Sequence, residues 1–160
     1  MGRLRTALIA TCALAVLLPA TASAKGKNPY TAKGLCGSSF KVIERKPLRA
    51  VSPLDGENHL LATAVLMYSG TTGENCAVVL KRRRINKPDN VNITLITRPR
   101  SDANSDGDGG LDLGYFAGPV KVFAPHKKIQ WWGGTMQKQH KFHTTVTLNS
   151  GFRSGWVHGD

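Results

Sequence analysis

Cysteine is scarce in this chain of 160 residues: there are three, and none stands in a CxxC pair or at Cys/His ligand spacing. That argues against the common structural zinc frameworks. Acidic side chains are also few, 10 against 22 basic ones, for a formal charge of +12. Such a surface is drawn to anionic partners, which bounds the partner rather than the fold. Long apolar runs are missing apart from Ala7 to Leu18, and about a dozen residues is too short to cross a bilayer comfortably. Linear catalytic motifs are missing as well. There is no nucleophile elbow, Walker loop, HExxH or paired-carboxylate arrangement. Triads are assembled in space, so their chemistry stays open, but no catalytic residue is named. Ser154 near His158 lacks a placed acid.

The one apolar run has the form of an export signal. Arg3 and Arg5 make a charged n-region, Pro19 ends the run, and Ala22-Ser23-Ala24 supplies the small-residue cleavage signature. Cys12 lies inside the run rather than at its end, where a lipid-attachment cysteine belongs. Residues 1–24 are therefore expected to be a signal peptide, with no membrane span in the protein that remains. Removing Arg3 and Arg5 leaves 20 basic against 10 acidic residues, a formal charge of +10. The mature chain is expected to be secreted, extracellular or on the cell or spore surface, and monomeric by default. Its two cysteines, Cys36 and Cys76, are most simply one disulfide.

Residues 25–34 form a basic Gly/Pro/Asn-containing segment with no apolar period, expected to be a flexible arm. Residues 35–160 are expected to be a single all-β domain. Phe40 to Ile43 is a first short strand, and Glu44 to His59, with Pro47, Pro53 and Asp55-Gly56, reads as a long surface loop. Leu60 to Tyr68 and Cys76 to Lys81 are apolar runs around a Ser69-to-Gly73 turn, a hairpin of core strands. A buried helix over Leu60 to Tyr68 is the alternative, because periodicity does not separate the two over so short a run. Val91, Ile93 and Leu95 alternate with polar residues, as do Phe142 to Leu148, which suits half-buried pleats. The sum is a compact antiparallel sandwich or partly open barrel of about six or seven short strands.

Four constellations could carry function. Lys81, Arg82, Arg83 and Arg84 form the densest charge cluster, and Lys127 and Lys128 a second. Together they are candidate anion-binding residues, although a charged hairpin end also serves to blunt edge pairing. Trp131 and Trp132 follow the second pair. Neighbours on a strand face opposite sides, so one indole belongs in the core and the other at a rim, where it could stack on a sugar or a base, although both rings could equally serve packing. Asp102, Asn104, Asp106 and Asp108 match alternate positions of a calcium loop, but Leu113 stands where a bidentate Glu is needed. A flexible acidic turn is the better account of them, so no cofactor is expected, and calcium is the only one the chain raises. His140 and His143 are three apart, on opposite faces of a strand, which argues against a metal pair.

Three stretches resemble a family of small exported actinobacterial proteins typified by spore-associated protein A. They are Leu35-Cys36-Gly37 through Ile43, Gly73-Glu74-Asn75-Cys76-Ala77-Val78-Val79, and Tyr115 through Val120 continuing to Trp132-Gly133-Gly134. The resemblance implies a leader, a compact disulfide-stabilised domain and association with the cell or spore exterior, with no catalytic residues to carry over. Family members tend to have a cysteine before the tryptophan-Gly-Gly element and another near the C-terminus. Here His126 to Gln130 and the tail have none. The expected function is a non-enzymatic surface- or spore-associated protein whose basic patch binds anionic envelope, spore-coat or matrix polymers. No dedicated nucleic-acid partner is expected. The alternative is a small secreted hydrolase acting on cell-wall or other acidic polymer.

Overall fold

Alternation along the strands decides which side chains meet between the sheets. The computed structural model describes residues 26–157; the leader expected at residues 1–24, and His158, lie outside the described residues. Within them the chain runs α1 (Ala32–Cys36), β1 (Lys41–Val51), β2 (Asn58–Ser69), β3 (Glu74–Lys81), β4 (Asp89–Thr97), β5 (Ser105–Leu113), β6 (Phe116–Phe123), β7 (Ile129–Lys141) and β8 (Thr144–Arg153), with a 3₁₀ turn at Asp102–Asn104. The strands form two four-stranded sheets, ordered β1-β2-β3-β6 and β5-β4-β7-β8. Every pairing within them is antiparallel. The all-β sandwich is as expected, with eight strands rather than six or seven and no closed barrel.

Between the sheets, Ala64, Leu66, Ala77 and Val79 meet Val91, Ile93, Leu95 and Trp131. Asn92 and Thr94, the intervening residues of β4, face away from this core. The strand reads this way because residues two apart share a face. Gly118 allows the closest approach within the first sheet. Its φ is +92°, and a Cβ there would lie 2.7 Å from the Ala77 carbonyl oxygen, so only glycine fits.

The two sheets differ in how their outer faces are finished. Val65, Met67, Cys76, Val78 and Leu80 point out of the sandwich and are covered by Ala32, Cys36 and Phe40. Burial on both faces explains why β2 and β3 are unbroken apolar runs, here in an antiparallel sheet. It also settles Leu60 to Tyr68 as strand. The Cys36–Cys76 disulfide holds α1 on this face across a separation of 40 residues. Among the described residues, no helix covers the outer face of the second sheet.

Three expectations need correction. Glu44 to His59 is mostly strand, the turn being confined to residues 52–57. Pro47 misled because it sits on β1, an edge strand, where its missing N–H is tolerated. The acidic Ser101–Leu113 segment is not simply a turn, since Ser105–Leu113 is β5. Its glycines are spacers: a Cβ on Gly109 would come within 2.8 Å of Asn92 Cβ. The N-terminal arm is docked rather than free. Asn28 Nδ2 donates to the carbonyls of Lys81 and Tyr115 at 3.2 and 2.7 Å, and Tyr30 packs edge-on against Tyr115 and Phe116.

Opening the disulfide frees α1 from the apolar face it covers. Replacing Cys36 and Cys76 with serine is expected to cost about 4 kcal/mol by the chain-entropy argument. Urea denaturation of the two proteins side by side measures the loss.

Candidate functional site

The cationic run after β3 divides at its first residue. On β3, Ala77 and Val79 face the core, and the same alternation turns Lys81 inward. Its side chain is fully buried. The ammonium donates to Asp89 Oδ2 and the Lys87 carbonyl, both at 2.6 Å, and to the Leu113 carbonyl at 3.2 Å. All three of its protons are thereby used. Lys81 is therefore not part of an anion-binding surface. Burial pushes its pKa below the usual 10.5, while the hydrogen bond and charge of Asp89 pull it back up.

Asp89 is in the inward phase of β4, two residues before Val91, and is also buried. Its Oδ1 accepts from Arg84 Nε at 2.9 Å. This pair orients Arg84, which lies in a tight turn at φ +50°. Arg82 is turned toward β2, its Nε donating to Thr63 Oγ1 at 3.0 Å. Arg83 and Arg84 enter a cleft of about 250 Å³ whose other wall is the end of β7, with Gln137, Lys138, Gln139 and His140. Arg83 Nη1 is buried without a hydrogen-bond partner among the described residues, and so is Gln139 Oε1. Lys138 and His140 are exposed at the rim. The cleft offers guanidinium N–H donors, the groups that serve an anion best.

Lys127 and Lys128 lie elsewhere. They are exposed in the turn before β7, ten residues from Lys138, which at strand rise is about 30 Å. The two basic clusters of the sequence are separate in space. Lys138 and His140 were missed beside the first, because residues 137–141 are uniformly polar and show no alternation.

The tryptophans separate as alternation requires. Trp131 is wholly buried, in edge-on contact with Phe152 at 4.5 Å between centroids, and is unavailable for stacking on a ligand. Trp132 is half-buried on the opposite face.

The calcium candidates are spread along the chain path rather than wrapped around one point. Asn104 Nδ2 donates to the Pro99 carbonyl, while Asp106 and Asp108 accept the backbone N–H groups of Lys121 and Gly118 at 2.7 and 2.6 Å. These two carboxylates join the edge of β5 to the edge of β6 across the mouth of the sandwich. Among the described residues, the converging metal-type donors are instead Asp55, Glu57 and His59. Asp55 lies in the β1–β2 turn, which packs on the cleft wall through Gln139 Nε2, a donor to Asp55 Oδ2 at 2.9 Å. The Glu57 backbone N–H, followed by Gln139, His59 and Ser52, holds the Asp55 carboxyl well below the usual 3.8, against a smaller opposing effect of burial. A hydroxyl–imidazole contact, Thr145 Oγ1 to His140 Nδ1 at 2.7 Å, lies on the exposed β7–β8 hairpin. No carboxylate is hydrogen-bonded to that ring among the described residues.

The chain is 28% identical over 120 residues to spore-associated protein A of Streptomyces coelicolor, a match spanning 75% of this chain and 69% of that protein. This bears out the resemblance carried by the Cys36, Cys76 and Trp132-Gly133-Gly134 stretches. No family model matches the chain, and no solved structure does.

Removing one partner of the buried ion pair leaves the other charge stranded. Asp89→Asn is expected to destabilise by about 3–5 kcal/mol, whereas the double change Lys81→Met, Asp89→Leu recovers most of that loss. Equilibrium denaturation of the two variants tests both statements.

The Asp55 shift gives a pH dependence of fixed sign. Because its folded pKa is depressed, its contribution is complete above 3.8 and is lost as pH falls through the folded value. The difference in melting temperature between the native protein and Asp55→Asn is expected to be steady near pH 6 and to shrink toward about pH 2. A difference that grows on acidification contradicts this account.

Proposed function

We propose that the protein is a non-enzymatic component of the cell or spore exterior, exported and held there by anionic envelope, coat or matrix polymers. The cleft between Arg83, Arg84, Lys138 and His140 is the contact. One observation carries the reading: two guanidinium side chains, Arg83 and Arg84, line an open cleft together with Lys138 and His140. Guanidinium N–H groups form charge-assisted, often bidentate hydrogen bonds with phosphate, sulfate or carboxylate oxygens. The excess of basic residues supports a cationic mode of attachment. The name of the Streptomyces coelicolor relative supports a spore-exterior setting.

Retention on immobilised polyphosphate and polygalacturonate is expected to fall steeply as salt rises. The double substitution Arg83→Gln, Lys138→Gln is expected to weaken it about tenfold, or about 1.4 kcal/mol. Lys127→Gln, Lys128→Gln, at the far end of β7, is expected to have the smaller effect. Retention that is indifferent to salt, or absent at low salt, defeats the proposal.

A further inference from the structure

A second site lies on the uncovered outer face of the second sheet. Trp132 is paired with Thr94 of β4 on one side and with Arg153 of β8 on the other. The Arg153 guanidinium stands 5.1 Å from the indole centroid, and its Nη2 donates to Gln130 Oε1 at 3.2 Å. The ring is thus backed and held from the β8 side.

On the β4 side the ring opens into a cleft of about 350 Å³, within the size range of small-ligand sites. Thr94 and Ile96 form its floor, and Arg100, Ser101 and Asp102 its far wall. Ile96 is only 2% exposed although it is in the outward phase of β4, and Arg100, Ser101 and Asp102 line the same cleft. Among the described residues, neither the Asp102 carboxylate nor the Arg100 guanidinium has a side-chain hydrogen bond. The next row across the sheet is Gly109, Asn92, Gly134 and Gly151, so nothing bulky shadows the indole along that direction.

We propose that this cleft binds an extended polysaccharide chain, with one sugar ring stacked on Trp132 and its hydroxyls held by Asp102, Arg100 and Thr94. A sugar ring has an apolar face suited to an indole and a rim of hydroxyls that both donate and accept. The wall supplies an acceptor-only carboxylate, a donor-only guanidinium and hydroxyl groups, which is the complement such a rim needs. A nucleic-acid strand is the less suitable occupant. Its stacking modes use basic grooves that follow the phosphates, and Asp102 places a negative charge in the same cleft lining as Trp132. The site is independent of the Arg83 cleft.

Affinity electrophoresis through hydroxyethyl cellulose, with titration by a chitin hexasaccharide, tests the proposal. At least one of the two probes is expected to bind, with little dependence on salt. Trp132→Ala is expected to weaken binding at least tenfold, and Trp132→Tyr and Arg83→Gln to leave it within a fewfold. Circular dichroism melting of each variant checks that the fold is intact. The proposal is overturned if neither probe binds, if folded Trp132→Ala binds as the native protein does, or if a single-stranded oligonucleotide binds through Trp132 in their place.

Discussion

The buried ammonium of Lys81 is the constraint on which the arrangement of the strand ends depends. It leaves the end of β3 in one sheet and reaches Asp89 at the start of β4, the Lys87 carbonyl before it and the Leu113 carbonyl at the end of β5. A charge in that position is tolerated only because each of its protons has an acceptor and one acceptor is anionic. The same aspartate takes Arg84 Nε, so the core ion pair also aims the first cation of the surface cleft. Fold and candidate site share one carboxylate.

The sandwich divides its labour between its sheets. The first is sealed on its outer side by a short helix and a disulfide, which makes its strands apolar throughout. The second carries polar residues, glycine and one indole outward, and is where the candidate contacts lie. Asp106 and Asp108, pointing inward at the edge between the sheets, use their carboxylates to occupy N–H groups of β6 that would otherwise be free to recruit another strand.

Much of this was legible in the chain. The alternation of Val91, Ile93 and Leu95, the two-cysteine bridge and the opposite facing of Trp131 and Trp132 followed from period two and composition alone. Lys81 was misread because it stood in a run of like charges, although the phase set by Ala77 and Val79 points it inward. Asp89, in the phase of Val91 and Ile93, is its natural complement. β5 was hidden for a different reason. Asp and Gly are poor strand formers in isolation, and the segment is a strand because β4 offers it an edge and β6 offers its aspartates N–H groups. The meeting of Arg83 and Arg84 with the end of β7 depends on how a turn folds back toward that strand, which no local pattern encodes. The leader lies outside the described residues.

β7 places Trp132 and Lys138 in the same outward phase of one strand, six residues apart, or about 20 Å at strand rise. β7 is paired with β4 as far as Met136 and with β8 throughout the interval, so it acts as a ruler. A polymer long enough to touch both positions meets the second contact at high effective concentration once the first is made, and is held more tightly than either contact alone allows. A fragment shorter than the interval gains nothing from it. Chain length, more than the chemistry of any one unit, would then decide what such a surface retains.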